Sequence, residues 1–166
     1  MRITDKYILF KDGVLSNWAY TPYVWRGIKF NTSEHHFMYL KAMHFEDYEA
    51  AQKIIKTKTP YEVKVLGRSI RNYDDVDWST FREQFMTIAL TAKFTLDEKS
   101  YNTITQLPSK TFAEATKDTI WGIGLYEDDP RAWDESTWKG TNLLGKVLTK
   151  IQQELKNDGN TLRLFD

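Results

Sequence analysis

Glu34 and Lys41 stand seven residues apart in the run Asn31-Thr32-Ser33-Glu34-His35-His36-Phe37-Met38-Tyr39-Leu40-Lys41-Ala42. In a helix that spacing returns to one face after almost two turns. Helical side chains lean toward the N-terminus, so Lys41 leans toward Glu34. Met38 lies between them, and Phe37, Leu40 and Phe45 make the surroundings apolar. An acid and an amine on such a stripe fit two descriptions. One is a salt-bridged core helix, which the spacing alone favours. The other is an active site, where burial lowers the pKa of the amine and the carboxylate moves protons.

Three more stretches hold chemistry-bearing residues at unusual spacing. Leu15-Ser16-Asn17-Trp18 puts an amide beside an indole. Asp118-Thr119-Ile120-Trp121-Gly122-Ile123-Gly124 places a carboxylate and an indole before two glycines. Glycine lets a backbone approach a ligand closely, and its N–H can donate to an anion. Trp138-Lys139-Gly140-Thr141-Asn142-Leu143-Leu144-Gly145 leads into a helix, whose N-terminus suits a phosphate. Each has a plainer reading when taken alone. Trp121 is a packed indole in a turn, Asn142 a helix cap, and Gly145 a close-packing position. His35, His36 and His44 lack further partners at metal-ligand spacing. No nucleophile elbow, Walker loop or dinucleotide fingerprint is present.

These residues need elements to position them. A strand is expected over Tyr7–Phe10, ended by Asp12-Gly13. A hairpin is expected over Tyr23-Val24-Trp25 and Ile28-Lys29-Phe30, turning at Arg26-Gly27. The Glu34/Lys41 helix runs from about Thr32 to His44, with Asn31, Thr32 and Ser33 as capping residues and Glu34 in capping-box register with Asn31. A second helix covers Asp47 to Thr57. A third starts at Thr59-Pro60-Tyr61-Glu62, a capping box with proline at the first helical position, and runs to about Gly67. Asn72 to Asp77 reads as a surface loop. The longest helix spans Trp78 to Leu96 with Asp77 as its cap and Phe81 on its buried stripe. Another follows over Asp97–Leu107, capped by Thr95 with Glu98. A short strand lies within Lys110–Ala115, and Asn142–Lys156 forms the last helix, ended by Asn157-Asp158-Gly159-Asn160.

The chain has 166 residues, enough for one domain with a real core. Six tryptophans raise the aromatic content, as flat-walled pockets or a large core require. Formal net charge is zero, so no global basic field drives non-specific nucleic-acid binding. There is no cysteine, which excludes disulfides, thiol chemistry and cysteine-based zinc sites. The N-terminus has no apolar signal core and no run approaches a membrane span, so a cytoplasmic protein is expected.

Together the stretches resemble the NADAR, or YbiA-like, family. The matching residues are Leu15-Ser16-Asn17-Trp18, Thr32-Ser33-Glu34-His35 with Lys41-Ala42, and Gly67-Arg68. Next come Met86, Ala89-Leu90, Ala92-Lys93-Phe94, Glu114, Asp118 and Trp121-Gly122-Ile123-Gly124. Trp138-Lys139-Gly140 and Asn142-Leu143-Leu144-Gly145 close the series. The order is the family's and spans about residues 10 to 155. Asn31 stands where the family pattern has proline, and Thr149 and Gln152 stand where it often has Met and Arg. Tyr126–Thr137 looks like the longer variant of its loop, a change that bears on substrate choice.

The resemblance implies one helix-rich α+β domain across residues 1–166, a small N-terminal sheet packed on about six helices. It implies an N-glycosidase that cleaves a ribosyl C–N bond. One substrate class is ADP-ribosylated guanine, as nucleoside or in nucleic acid. The other is the ribosylamino-pyrimidine phosphate intermediates of riboflavin synthesis. By motif position Lys41 is the Schiff-base nucleophile, with Glu34 or Asp118 as proton shuttle. Asn17, Trp18, His35, Arg68, Trp121, Gly122, Gly124 and Asn142 are the implied substrate-binding residues. No metal or redox cofactor is required. A module that binds ADP-ribose or a nucleotide without cleavage is the rival from another class. A compact structural domain is the plainest alternative.

Overall fold

The computed structural model describes residues 1–158; Gly159 and Asn160, part of the expected stop of the last helix, lie outside that range. The helix-rich α+β class is observed, with six α-helices and two small sheets among the described residues. The chain forms two compact units. One holds residues 17–101 and the other residues 1–16 with those from 102 onward.

In the 17–101 unit, strands β3 (Tyr23–Trp25) and β4 (Ile28–Phe30) pair antiparallel as the expected hairpin. Arg26 and Gly27 both take positive φ, as the tight two-residue turn that matches strand twist demands. Helix α1 (Ser33–His44) follows and is buried along most of its length. It packs against α2 (Tyr48–Lys56), α3 (Pro60–Arg68) and α4 (Asp75–Leu96). The Thr59/Glu62 capping box and Pro60 start α3 as the sequence indicates.

Two capping expectations fail at α1 and α4. Asn31 is not the cap of α1. Thr32 is, accepting the His35 amide, and the Glu34 carboxylate turns to another partner. Asp77 does not cap α4 either. That helix begins three residues earlier, capped by Asp74, which accepts the Asp77 amide. Asp77 instead accepts from His44 Nε2 at 2.6 Å. Phe81 is 38% exposed rather than on a buried stripe. One polar residue is a clamp that periodicity does not reveal. Asp47 caps α2 and also accepts three hydrogen bonds from Arg71, one from its backbone and two from its guanidinium. Those bonds, the backbone one foremost, hold its carboxyl at about 2.

His36 is fully buried in an aromatic cage. It stacks on Phe30 at 4.3 Å and lies 4.5 Å from Trp25. The Tyr23 hydroxyl donates to the Ala89 carbonyl, so it accepts from His36 Nδ1 at 3.1 Å. Its Nε2 is buried with no partner, and burial pushes the pKa of the imidazole down to about 3. The sign of the pH effect follows. Below the ordinary value of 6.5 the unfolded chain binds a proton that the folded chain refuses until about 3. Stability contributed by His36 is thus complete above 6.5 and is lost toward 3, by roughly 1.4 kcal/mol per pH unit at most. In urea unfolding at pH 7 and pH 5, His36→Phe is expected to show the smaller loss between the two.

In the other unit, β1 (Arg2–Ile3), β2 (Tyr7–Phe10) and β5 (Thr111–Glu114) form a sheet in the order β1-β2-β5. β2 and β5 run parallel, with Tyr7 opposite Thr111 and Phe10 opposite Glu114. The sheet is therefore not wholly N-terminal: its third strand comes from the second half of the chain. All four residues of β2 are buried, which is why it reads as a continuous apolar run and not an alternating one. Leu9, Ala113, Ile123, Leu125 and Ala132 form a core against which Trp138 packs, its ring 5.1 Å from that of Tyr7.

Helix α5 (Glu98–Gln106) is not capped by Thr95, whose hydroxyl stays inside α4 on the Thr91 carbonyl; Asp97 accepts from the Ser100 amide instead. Helix α6 (Leu143–Asn157) packs on β5. Thr149 and Gln152, two of the departures from the family pattern, both serve this packing. Thr149 accepts from the Phe112 amide, and Gln152 donates to the carbonyls of Ile104 and Leu107. Among the described residues no helix is long and apolar enough to cross a membrane.

Candidate active site

Lys41 sits in the last turn of α1 and is only 9% exposed. Its ammonium does not bond to Glu34. It donates to the Gly67 carbonyl at 2.8 Å. Tyr73 and Trp78 wall it, with ring centroids 4.5 and 5.3 Å from Nζ. Burial lowers the pKa of Lys41, and the negative charges of Glu34 and Asp75 oppose that shift. The salt-bridged core helix therefore fails as a description, because the amine and the acid act on each other only at longer range. Gly67 is small for a reason of packing. A Cβ there would run into the sulfur of Met38, the residue between Glu34 and Lys41.

Glu34 is 7% exposed and has a fixed partner in Asn17. The Asn17 amide nitrogen donates to Glu34 Oε2 at 2.9 Å. Its backbone carbonyl accepts from the Glu34 amide at 3.0 Å and from the Ser33 hydroxyl. A carboxylate accepts only, so the nitrogen of the Asn17 amide must face it. Asn17 Oδ1 is then left buried with no partner. A buried acceptor without a donor is costly, and a substrate hydroxyl would satisfy it. Trp18, the next residue, is 42% exposed, with Lys64 Nζ 5.7 Å from its ring. Arg68 lies on the exposed face of α3 immediately after Gly67.

His35 is placed differently from the expectation of substrate binding. Its Nε2–H donates to the Thr57 carbonyl at 2.9 Å, and its Nδ1 accepts from the Thr32 hydroxyl at 2.7 Å. Both ring nitrogens are spent on fastening the start of α1.

The remaining site residues belong to the other unit, where two of the sequence motifs form one double loop. The Asn142 amide donates to the Gly122 carbonyl, Leu143 to Ile120, Leu144 to Trp121, and Lys139 and Gly140 both to Ile123. The glycines are small because this chain approaches itself. A Cβ on Gly122 would meet the Glu114 and Asp118 carbonyls, and one on Gly124 would meet Lys139. The Gly124 amide is already used on the Asp118 carbonyl. The expectation of a ligand cradled by the Gly124 amide is thereby corrected.

Asn142 also departs from its expected roles. It precedes α6 in a left-handed conformation, φ 54°, and makes no side-chain cap bond. Its amide bridges β5 instead, donating to Phe112 and accepting from Glu114. At 1% exposure its side-chain amide is enclosed and bonded to β5 through both polar atoms. Asp118 Oδ1 accepts the amides of Ile120 and Trp121, both at 2.8 Å, and so shapes the turn that presents Trp121.

Sequence reasoning missed Tyr73 and Trp78, the walls around Lys41. Tyr73 was part of a polar loop and Trp78 was the start of a helix, and no periodicity links either to residue 41. Lys93 was matched as a motif residue only. It is a second buried amine, fully enclosed, held down to about 7 by burial against the charge of Asp97. Among the described residues no three His, Asp or Glu side chains cluster as a metal would require.

With the geometry in place, comparison with known proteins decides the family. The NADAR domain pattern matches residues 8–156. The chain belongs to the NADAR domain family. It is 31% identical to N-glycosidase R617 of Acanthamoeba polyphaga mimivirus, over 91% of this chain and 97% of that protein. It is 28% identical to N-glycosidase YbiA of Escherichia coli K12, over 86% and 81%. Protein irg-1 of Caenorhabditis elegans is 36% identical over 77% of this chain, and the match spans 62% of that longer protein. The NMR structure of E. coli YbiA superposes with a TM-score of 0.76 at 26% identity, covering 98% of this chain and 92% of YbiA.

The site as built makes one electrostatic prediction. Glu34→Gln keeps an acceptor for Asn17 but removes the negative charge that raises the pKa of Lys41. The Lys41 amine is then expected to lose its proton at lower pH than in the wild type. Amine-directed NMR titration or the pH dependence of lysine modification measures this. A Lys41 titration unchanged by the substitution contradicts the placement of Glu34 as its electrostatic partner.

Proposed function

We propose that the protein is an N-glycosidase that removes ADP-ribose from ADP-ribosylated guanine through a Schiff base on Lys41. The observation that carries the reading is the state of Lys41. It is an enclosed amine, its proton weakened by burial, with aromatic walls beside it and a carboxylate on its own helix. Relatives named N-glycosidase, one of them similar over 97% of its length, support the hydrolase class.

Breaking a ribosyl C–N bond leaves positive character on the anomeric carbon and negative charge on the departing nitrogen. The neutral Lys41 amine attacks that carbon and the C–N bond breaks. The leaving nitrogen takes a proton. Glu34, held in place by Asn17, takes the proton that Lys41 sheds as its new C–N bond forms and passes it to that nitrogen, and Asp118 is assigned to the Trp121 turn. The sugar ring opens to an imine, water adds to that imine, and ADP-ribose leaves with the amine restored. Asn17 Oδ1 accepts a ribose hydroxyl, Arg68 binds phosphate through its forked guanidinium, and Trp18 stacks on a ring of the substrate.

Zero net charge favours a single modified nucleotide over long contacts along a nucleic-acid backbone. The test is a substrate panel of ADP-ribosyl-guanosine, ADP-ribosylated DNA and a ribosylamino-pyrimidine phosphate. Release of free ADP-ribose from the first two supports the proposal. Turnover of the pyrimidine phosphate alone moves the substrate to the riboflavin intermediates, and binding without turnover of any makes the protein a binding module.

A further inference from the structure

A cavity of about 420 Å³ opens beside the double loop, lined by Lys117, Gly124, Tyr126, Asp129, Arg131 and Lys139 together with Leu125 and Asp128. Its charges are not evenly paired. The guanidinium of Arg131 donates to both carboxylate oxygens of Asp129, from Nε at 3.0 Å and from Nη2 at 2.6 Å, so these two groups cancel. Asp128 is then the only acid left in the lining. Against it stand the ammonium groups of Lys117 and Lys139, neither with a hydrogen-bonded carboxylate among the described residues.

Lys117 Nζ lies 5.7 Å from the Tyr126 ring, and Lys11 Nζ lies 5.3 Å from the same ring. Tyr126 also lines a second cavity, with Lys11. Two like charges gathered at one exposed ring repel each other, and an aromatic face offsets that only in part.

The frame is hydrogen-bonded around Lys139 and along the loop that carries Tyr126. Lys139 and Gly140 both donate to the Ile123 carbonyl; Gly124 takes a positive φ, and a Cβ there would meet the Lys139 Cβ. The loop carrying Tyr126 and Arg131 is tied by Trp133 Nε1 to the Glu127 carbonyl and by Trp138 Nε1 to the Ala132 carbonyl. Lys139, tied at its backbone, and Lys117, beside the Tyr126 ring, bring two ammonium groups to an open cavity, as a phosphate dianion needs. The volume exceeds that of one phosphate and leaves room for the group it is attached to.

We propose that this cavity is a binding site for a phosphate ester, with Lys117 and Lys139 as its two ammonium donors and Tyr126 as the wall that positions Lys117. The site goes beyond the glycosidase reading and does not depend on it, because binding is read without turnover. The phosphate can come from a free nucleotide or from a nucleic-acid strand, and the probes separate the two.

The experiment is NMR and calorimetric titration of the whole protein with ADP, adenosine and a short single-stranded oligonucleotide. ADP is expected to shift the amides of Gly124, Tyr126 and Lys139, and adenosine is expected not to. Lys117→Glu with Lys139→Glu should weaken ADP at least about tenfold. Lys146→Glu with Lys150→Glu, the same charge change on α6, should leave it unchanged. The oligonucleotide replacing ADP in every one of these results places the phosphate on a strand and supports the site equally. Equal affinity of the Lys117/Lys139 variant and the wild type overturns the proposal. So does adenosine binding as well as ADP, or neither phosphate probe shifting these amides at millimolar concentration.

Discussion

Replacing Lys41 with methionine is expected to lower N-glycosidase turnover by at least about 10³-fold while leaving the fold intact. Methionine keeps the length and apolar body that lie against Tyr73 and Trp78. Only the amine and its bond to the Gly67 carbonyl are lost. Burial already disfavours the ammonium, so folding loses little when that charge is removed. Substrate binding is expected to persist, because Asn17, Trp18 and Arg68 are untouched. The effect therefore falls on kcat with KM nearly unchanged. A matched loss of binding without loss of turnover would make Lys41 a substrate contact and not a nucleophile. In the wild type, the rate should rise with pH through the pKa of Lys41, at a pH below the ordinary lysine value of 10.5. Below that pH the amine is protonated and cannot attack.

The second large effect is structural. Gly145→Ala is expected to destabilise the protein by about 3 kcal/mol, which lowers the melting temperature by about 6–12 °C. A Cβ at this position would collide with the Phe112 carbonyl and both polar atoms of the Asn142 side chain. None of these is the free end of a flexible chain. The Phe112 carbonyl accepts from Asn142, and Asn142 also accepts from the Glu114 amide, so the intrusion breaks the tie between α6 and β5. Gly13→Ala is the comparison, since a Cβ there meets nothing and only its positive φ is strained. Thermal melts of the two variants give the contrast. A Gly145→Ala protein that melts with the wild type would show that the double loop tolerates slack.

The sequence made some of this visible and hid the rest for physical reasons. The Thr59-Pro60-Glu62 start of α3 was readable because capping is local, decided within four residues. The Arg26-Gly27 hairpin was readable for the same reason. Local rules failed where a polar side chain had a distant competitor. Glu34 in capping-box register goes to Asn17, and Asp77 goes to His44. Gly122, Gly124 and Asn142 stand out in the sequence, where their spacing suggests a ligand. Their partners are Glu114, Lys139 and Phe112, which spacing along the chain cannot announce. The parallel pairing of β2 with β5 joins residues about a hundred apart and has no local signature. At Lys41 the apolar stripe correctly foretold a lowered pKa, while the aromatic walls and the Gly67 carbonyl emerged only from tertiary structure.

The central claim is that Lys41 becomes covalently bonded to the sugar during turnover. Borohydride reduction in the presence of ADP-ribosyl-guanosine, followed by peptide mass spectrometry, reads this directly. Reduction converts the imine to a stable amine, so the account predicts an ADP-ribosyl adduct on the peptide carrying Lys41, absent from the Lys41→Met protein. Turnover with no trapped adduct, or an adduct on another lysine such as the enclosed Lys93, would contradict it.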